Sequence, residues 1–269
     1  LGKLEEAFAL SPRSHVMIVY NAPVGIGVNY EIRGELSTVE RAYEDWLATR
    51  KPPLFGTEPD ARVWTLANEL SEPKACRVLD VGAGTGRNAL ALARRGHPVD
   101  AIESTPRFAE TMRSDAQRDS LDVRVIQRDV FDTKDDLCRD YRLMVLSEVV
   151  SDFRTTQQLR GIFELAAECL APGGKLVFNV FLVQQGYTPD RAARELGQQC
   201  YTSIFTRHEL LTAAEGLALE QIADDSVFAY EKEHLPDGTW PPTGWYADWV
   251  RGLDLFGVAP DQCPIEMRW

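Results

Sequence analysis

The segment that most constrains this chain is Val78-Leu79-Asp80-Val81-Gly82-Ala83-Gly84-Thr85-Gly86-Arg87-Asn88: an apolar run carrying one acid, three glycines at alternate positions, then a helix-forming stretch. Glycine at 82, 84 and 86 lets the backbone bend sharply and leaves room for a ligand where a Cβ would obstruct it. Amides at the start of the following helix are then placed to meet an anion. A dinucleotide fingerprint would put its third glycine at 87, where this chain has Arg87. The spacing therefore argues against NAD.

Around this turn the chain alternates between short β-rich apolar runs and helical stretches, the pattern of a doubly wound α/β sheet. Strands are predicted at 76–81, 98–103, 123–126, 143–147 and 175–181. Helices are predicted after the turn, where Ala89, Leu90, Leu92 and Ala93 would face the sheet, from Pro106, and over 155–170. In the last of these, Leu159, Ile162, Phe163, Ala166 and Leu170 keep a helical period until Pro172-Gly173-Gly174 stops it. Thr206 and Glu209 form a capping box ahead of Leu210 and Leu211. Runs at 218–223 and 227–232 read as a closing hairpin whose polar turn is Asp224-Asp225-Ser226. The expectation for residues 73–235 is thus a mostly parallel seven-stranded sheet with an antiparallel final strand. Residues 1–72, with helices predicted at 38–49 and 58–70, form an N-terminal helical cap. Residues 236–269 form an aromatic-rich C-terminal extension packed on the core. Over 269 residues, 44% hydrophobic content is enough for a substantial core and excludes a disordered chain.

Asp80-x-Gly82-x-Gly84-x-Gly86 at the first strand resembles motif I of the class I, Rossmann-like S-adenosylmethionine (SAM)-dependent methyltransferases. In that family the turn holds the methionine part of the cofactor. The resemblance implies SAM as cofactor, S-adenosylhomocysteine as product, and Asp80, Gly82, Ala83, Gly84, Gly86 and Asn88 as cofactor-binding residues. Glu103, with Ser104 beside it, lies 23 residues after Asp80, where the family's acid binds both ribose hydroxyls. A carboxylate suits that place because it accepts two hydrogen bonds at once. Arg128-Asp129-Val130-Phe131 resembles the adenine-binding segment, Asp129 accepting the amino group and Val130 or Phe131 lying against the purine. Leu170-Ala171-Pro172-Gly173-Gly174-Lys175-Leu176 resembles the family's turn into the fifth strand. The motifs run in register over residues 76–232 and point to the cofactor, not to the acceptor. Gly86-Arg87-Asn88-Ala89 and the compact chain resemble the small-molecule branch that includes tellurite-resistance-type enzymes.

In open α/β sheets ligands lie beyond the carboxyl ends of the strands at the switch point, which is where Ser147, Glu148 and Asp152 fall. Ser147 is read with the cofactor residues. Where many amide and base N-methyltransferases of this class carry Asn/Asp-Pro-Pro-Tyr/Phe, this chain has Ser147-Glu148-Val149-Val150, which disfavours a planar amide or nucleobase acceptor. Glu148 and Asp152 are the catalytic candidates, either taking a proton from the acceptor or attracting a cationic amine. Alternatively, Glu148 only touches SAM and Asp152 caps the next helix. Tyr187, in the loop after the fifth strand, and Tyr30 are the candidates for substrate contact. Tyr30 lies in a glycine-bearing stretch, 19–35, that reads either as a lid or as a surface arm.

Trp240, Trp245, Trp249 and Trp269 put four of the six tryptophans in the last thirty residues, joined there by Tyr246. Such aromatics line a pocket, make an oligomer contact or pack against the sheet edge. Lysine and arginine number 29 against 41 acids, a balance of -12 with no basic patch, so nucleic acid is not an expected partner. The five cysteines form no CxxC pair and no Cys/His cluster, which suggests neither a metal site nor a disulfide framework. No charged-then-apolar leader opens the sequence and no apolar run approaches the ~18 residues of a membrane helix. The expectation is a cytoplasmic enzyme, with no membrane partner and its oligomeric state open, that transfers a methyl group from SAM to a small-molecule acceptor. The alternatives are a non-catalytic SAM-binding module and, since the chain begins at Leu1 rather than Met, the methyltransferase domain of a larger multidomain protein.

Overall fold

The computed structural model describes residues 54–269 other than 185, together with two three-residue strands, β1 (His15–Met17) and β2 (Glu35–Ser37), which pair antiparallel. The chain divides into two units, Leu1–Leu54 and Phe55–Trp269. The helix expected at 38–49, most of the stretch 19–35 and Tyr30 lie outside the described residues.

The second unit is built on five parallel strands in the order β5 (Val123–Ile126), β4 (Val99–Ile102), β3 (Val78–Val81), β6 (Tyr141–Leu146), β7 (Leu170–Phe178). The chain winds outward from β3 to β5, then returns to the other side of β3 for β6 and β7, so the switch point lies between β3 and β6. Every residue of β3 and β4 is buried, as a sheet covered on both faces requires. Side-chain alternation divides the interior in two. Val78, Leu143 and Val145 join one core, whereas Leu79, Val81, Met144 and Leu146 join the other.

The first core is covered by α1 (Ala61–Asn68), α2 (Arg87–Arg94) and α3 (Pro106–Arg118), which contribute Val63, Ala67, Ala89, Leu92, Ala93, Met112 and Ala116. The second takes Leu159, Ile162, Phe163 and Ala166 from α4 (Thr156–Cys169). A further helix, α5, spans Arg191–Gln199. Leu210 and Ala213 of α6 (Arg207–Ala214) also join the second core. Capping boxes close the starts of α4 (Thr155 with Gln158) and α6 (Thr206 with Glu209), the second as expected from the sequence. The Pro172-Gly173-Gly174 turn lies inside β7, because α4 already ends at Cys169.

The expected seven-stranded sheet with an antiparallel last strand is corrected to five parallel strands plus a small separate sheet. The hairpin at 218–223 and 227–232 does not form. Residues 218–223 contain no strand, and Val227–His234 is a helix, α7. Ser226, read as part of a turn, is its N-cap, the side-chain oxygen accepting the Ala229 N–H at 3.2 Å. Val227 and Glu231, four residues apart, are the buried positions, a helical period rather than an alternation. Beyond β7 the chain passes Asn179 into β8 (Val180–Val183), which pairs parallel with β9 (Ile204–Phe205) and antiparallel with β10 (Ile265–Arg268). The tail thus supplies the antiparallel strand. The tail also holds two short helices, α8 (Tyr246–Trp249) and α9 (Leu253–Phe256), and Trp249 packs edge-on against Phe181 at 5.4 Å between ring centroids.

Candidate functional site

The glycine bend follows β3 directly. Gly82, Gly84 and Gly86 have φ of 66°, 57° and 93°, the left-handed region that favours glycine. A Cβ on Gly82 would lie 2.4 Å from Val149 Cγ2, while one on Gly84 would meet only Phe55, at 3.7 Å. The bend is therefore pressed against the end of β6 at its first glycine and roomier at its second. Ala83 is buried and its N–H donates to Ile102 O at 3.0 Å.

Three acids stand at the carboxyl ends of three adjacent strands. Asp80, on β3, is 2% exposed, and burial, aided by the negative charge of Asp60, pushes its carboxyl up to about 7 against the pull of Arg87 and the Ala89 N–H. Its Oδ2 has no partner among the described residues. Glu103, just past β4, accepts the Gly84 N–H on Oε2 at 2.8 Å and the Thr105 N–H on Oε1 at 2.7 Å, tying the bend to the neighbouring strand. Ser104 beside it is half-buried. Asp129, after β5, accepts the Phe131 N–H at 3.1 Å. Val130 is buried, whereas Phe131 is 38% exposed with its ring 5.7 Å from that of Phe153.

Across the switch point lies an ionic cluster that crosses from α2 to the loop after β6. Arg87, the first residue of α2, bonds Asp60 Oδ1 through Nη1 at 2.7 Å, and through Nη2 Glu148 Oε1 at 2.8 Å and Ser147 Oγ at 3.4 Å. Asn88 spends both ends of its amide on Asp60, donating to Oδ2 at 2.8 Å and accepting the Asp60 N–H at 2.9 Å. Glu148 takes a left-handed backbone, φ 61°, and its N–H donates to Asn179 Oδ1 at 2.7 Å. Burial pushes the Glu148 carboxyl up to about 7, opposed by Arg87. Glu231 of α7 accepts the Ala61 N–H at 2.7 Å and the Arg62 N–H at 3.1 Å, serving the first turn of α1 while Asp60 is held by Arg87.

Asp152 sits in the turn Val150–Asp152, and the cap of α4 is Thr155, not Asp152. Tyr187 is half-buried with its ring edge-on to Phe256 at 5.7 Å. Sequence reasoning missed Asp60, Arg87, Asn179 and Glu231. Arg87 had a signal, being a charged residue directly after the third glycine of a buried bend. Asp60 and Glu231 had none, since their shared helix start joins positions about 170 residues apart.

A parallel sheet with its switch point beside an acid and a three-glycine bend is a Rossmann-like arrangement. Residues 78–174 match a family model described as a methyltransferase domain. Among curated proteins, the demethylmenaquinone methyltransferases of Tropheryma whipplei strains Twist and TW08/27 are each 35% identical over 105 residues, 39% of this chain. The match spans 41% of the length of those relatives. Among solved structures, geranyl diphosphate C-methyltransferase from Streptomyces coelicolor A3(2) is similar with a TM-score of 0.58 at 16% identity, over 77% of each chain. A putative sarcosine dimethylglycine methyltransferase from Galdieria sulphuraria gives a TM-score of 0.58 at 15% identity, over 85% of this chain and 95% of that one. At such identities the structures speak for the fold.

Proposed function

We propose that the protein transfers a methyl group from SAM to a small-molecule acceptor, as an enzyme of the EC 2.1.1 type. The observation that carries this reading is the grouping of Asp80, Glu103 and Asp129 at the ends of three adjacent strands around a left-handed glycine bend. The residues fit the cofactor. The orphaned Asp80 Oδ2 is an acceptor for an ammonium group, and a buried acceptor without a donor is costly until one arrives. Glu103 holds the Gly84 and Thr105 N–H groups, one on each oxygen, and is the acid we assign to the ribose hydroxyls. Phe131 offers an exposed ring for adenine beside Asp129.

When bound, SAM supplies an electrophilic methyl on a sulfonium. The protein's part is to hold the acceptor in line with it, and positioning of that kind is worth on the order of 7–11 kcal/mol. At the switch point we assign Ser147 to the cofactor and Glu148 and Asp152 to the acceptor side. The net charge of -12 supports an acceptor other than nucleic acid. Among the described residues no helix is long and apolar enough to cross a membrane, in keeping with the cytoplasmic setting we propose. The test is release of S-adenosylhomocysteine from SAM in the presence of small-molecule acceptors. Turnover supports transfer, whereas SAM binding with no turnover across amine, hydroxyl, thiol and carbon acceptors would make the domain a binding module.

A further inference from the structure

Beside the glycine bend, one guanidinium serves an excess of carboxyls. Arg87 holds Asp60 and Glu148 directly, and Asp80 and Glu231 stand in its field. Among the described residues one positive charge stands against four acids, an unbalanced buried set that protons or a further cation would complete. Burial pushes Asp80, Glu148 and Glu231 each up to about 7, so protons compete for that place near neutrality.

Besides Asp80 Oδ2, two buried polar groups there lack partners among the described residues. Tyr246 is 2% exposed, its hydroxyl makes no hydrogen bond among the described residues, and Glu148, Asp60 and Glu231 are the charges that act on it most strongly. Asn179 is fully buried and its Oδ1 is held by the Glu148 N–H, which fixes the amide and leaves Nδ2 without an acceptor. Glu148 engages Arg87 through Oε1 and keeps Oε2 out of any hydrogen bond among the described residues, with the side chain 14% exposed. Packing brings the C-terminal segment to this place. A Cβ on Gly84 would meet Phe55 at 3.7 Å, and one on Gly56 would meet Pro242 Cβ at 2.8 Å, so residues 55–56 lie between the bend and the segment that carries Tyr246.

We propose that Glu148, the Tyr246 hydroxyl and the Asn179 amide form the acceptor subsite, and that it takes a small amine carrying a nearby oxygen, an amino alcohol or amino acid, bound as the ammonium. The proposal rests on the methyl-transfer reading and names its substrate class. The ammonium supplies the missing positive charge, donating to Glu148 Oε2 and to the Tyr246 oxygen. Asn179 Nδ2 can only donate, so it calls for an oxygen on the same molecule. For transfer, one N–H proton passes to the Glu148 carboxylate and frees the nitrogen lone pair. That pair forms the N–C bond as the S–C bond of SAM breaks, its electrons staying on sulfur as the thioether. The methylated amine leaves as an ammonium and the proton on Glu148 returns to solvent.

Titration calorimetry on the S-adenosylhomocysteine complex at neutral pH tests this, with 3-amino-1-propanol as the probe and 1,3-propanediol as its neutral isostere. The amine should bind at least tenfold more tightly than the diol and should release protons from the acids around the subsite, measured by comparing buffers of different ionisation heat. Asp60, Asp152, Arg87 and Tyr246 interact with Glu148, and Asp80 and Glu231 with the same Asp60 and Arg87, so the release is assigned by variant. Glu148→Gln should abolish the preference and most of the release, and Tyr246→Phe should weaken the amine several-fold, while both keep S-adenosylhomocysteine affinity within about twofold. Equal affinity for amine and diol, or a preference that survives Glu148→Gln, would overturn the subsite. Failure of the unaltered protein to bind S-adenosylhomocysteine would instead overturn the methyl-transfer reading beneath it.

Discussion

Replacing Asp80 by Asn should make the protein more stable at alkaline pH while weakening its hold on SAM, an opposition that a merely structural aspartate would not show. Asn keeps the oxygen that accepts the Ala89 N–H and removes the charge. In the folded protein the Asp80 carboxyl is pushed from 3.8 to about 7, chiefly by burial. A raised carboxyl favours the folded state fully below the unfolded value and loses that contribution as pH climbs through the folded one. At ~1.4 kcal/mol per tenfold in proton affinity, the loss between about pH 4 and about pH 8 has an upper bound of about 4 kcal/mol. Glu148 and Glu231 are raised in the same cluster, so removing one charge relieves the others and the terms do not add independently. Urea unfolding of both proteins at about pH 4 and about pH 8 should show near-equal stability at the lower value, and the variant ahead by about 2–4 kcal/mol at the higher. Parallel curves for the two proteins would refute the claim that Asp80 carries a buried, unneutralised charge.

Two further variants separate the bend from the ionic cluster. Gly82→Ala forces a side chain into a left-handed backbone and against Val149 at 2.4 Å, and should cost about 2–5 kcal/mol, read as a lowered Tm; an unchanged Tm would mean the bend relaxes freely. Arg87→Met leaves Asp60 and Glu148 buried without their cation, and a loss of about 3–5 kcal/mol is expected near neutral pH, smaller in acid where the carboxyls are protonated; a loss independent of pH would contradict the role given to Arg87.

Much of this arrangement was legible because its determinants are local. The bend, the strand before it and the helix after it are contiguous, and Glu103 and Asp129 each lie within a few residues of a short apolar strand. The tail was harder. Ile265, Met267 and Trp269 alternate with Glu266 and Arg268, a strand signal at the end of a run dominated by tryptophan. Asp224-Asp225-Ser226 reads equally as a turn or as a helix start, since short polar side chains serve both, and only the Val227 and Glu231 pairing decides for the helix. Around Glu148, which its place at the switch point singled out, the ionic cluster was illegible for a different reason. Asp60, Arg87, Glu148 and Tyr246 form a cluster only after the sheet has closed, and no spacing in the chain announces it.

The most direct test of the whole account is calorimetric titration of SAM into the unaltered protein and into Glu103→Gln. Saturable binding to the first is expected, weakened about 10- to 100-fold in the second, the loss that one charge-assisted hydrogen bond of ~1.5–3 kcal/mol entails, with the melting curve lowered as well because the amide nitrogen cannot accept the backbone N–H that one Glu103 oxygen takes. Absence of binding to the unaltered protein, or equal affinity in the variant, would contradict the assignment of the glycine bend and its three acids to the cofactor.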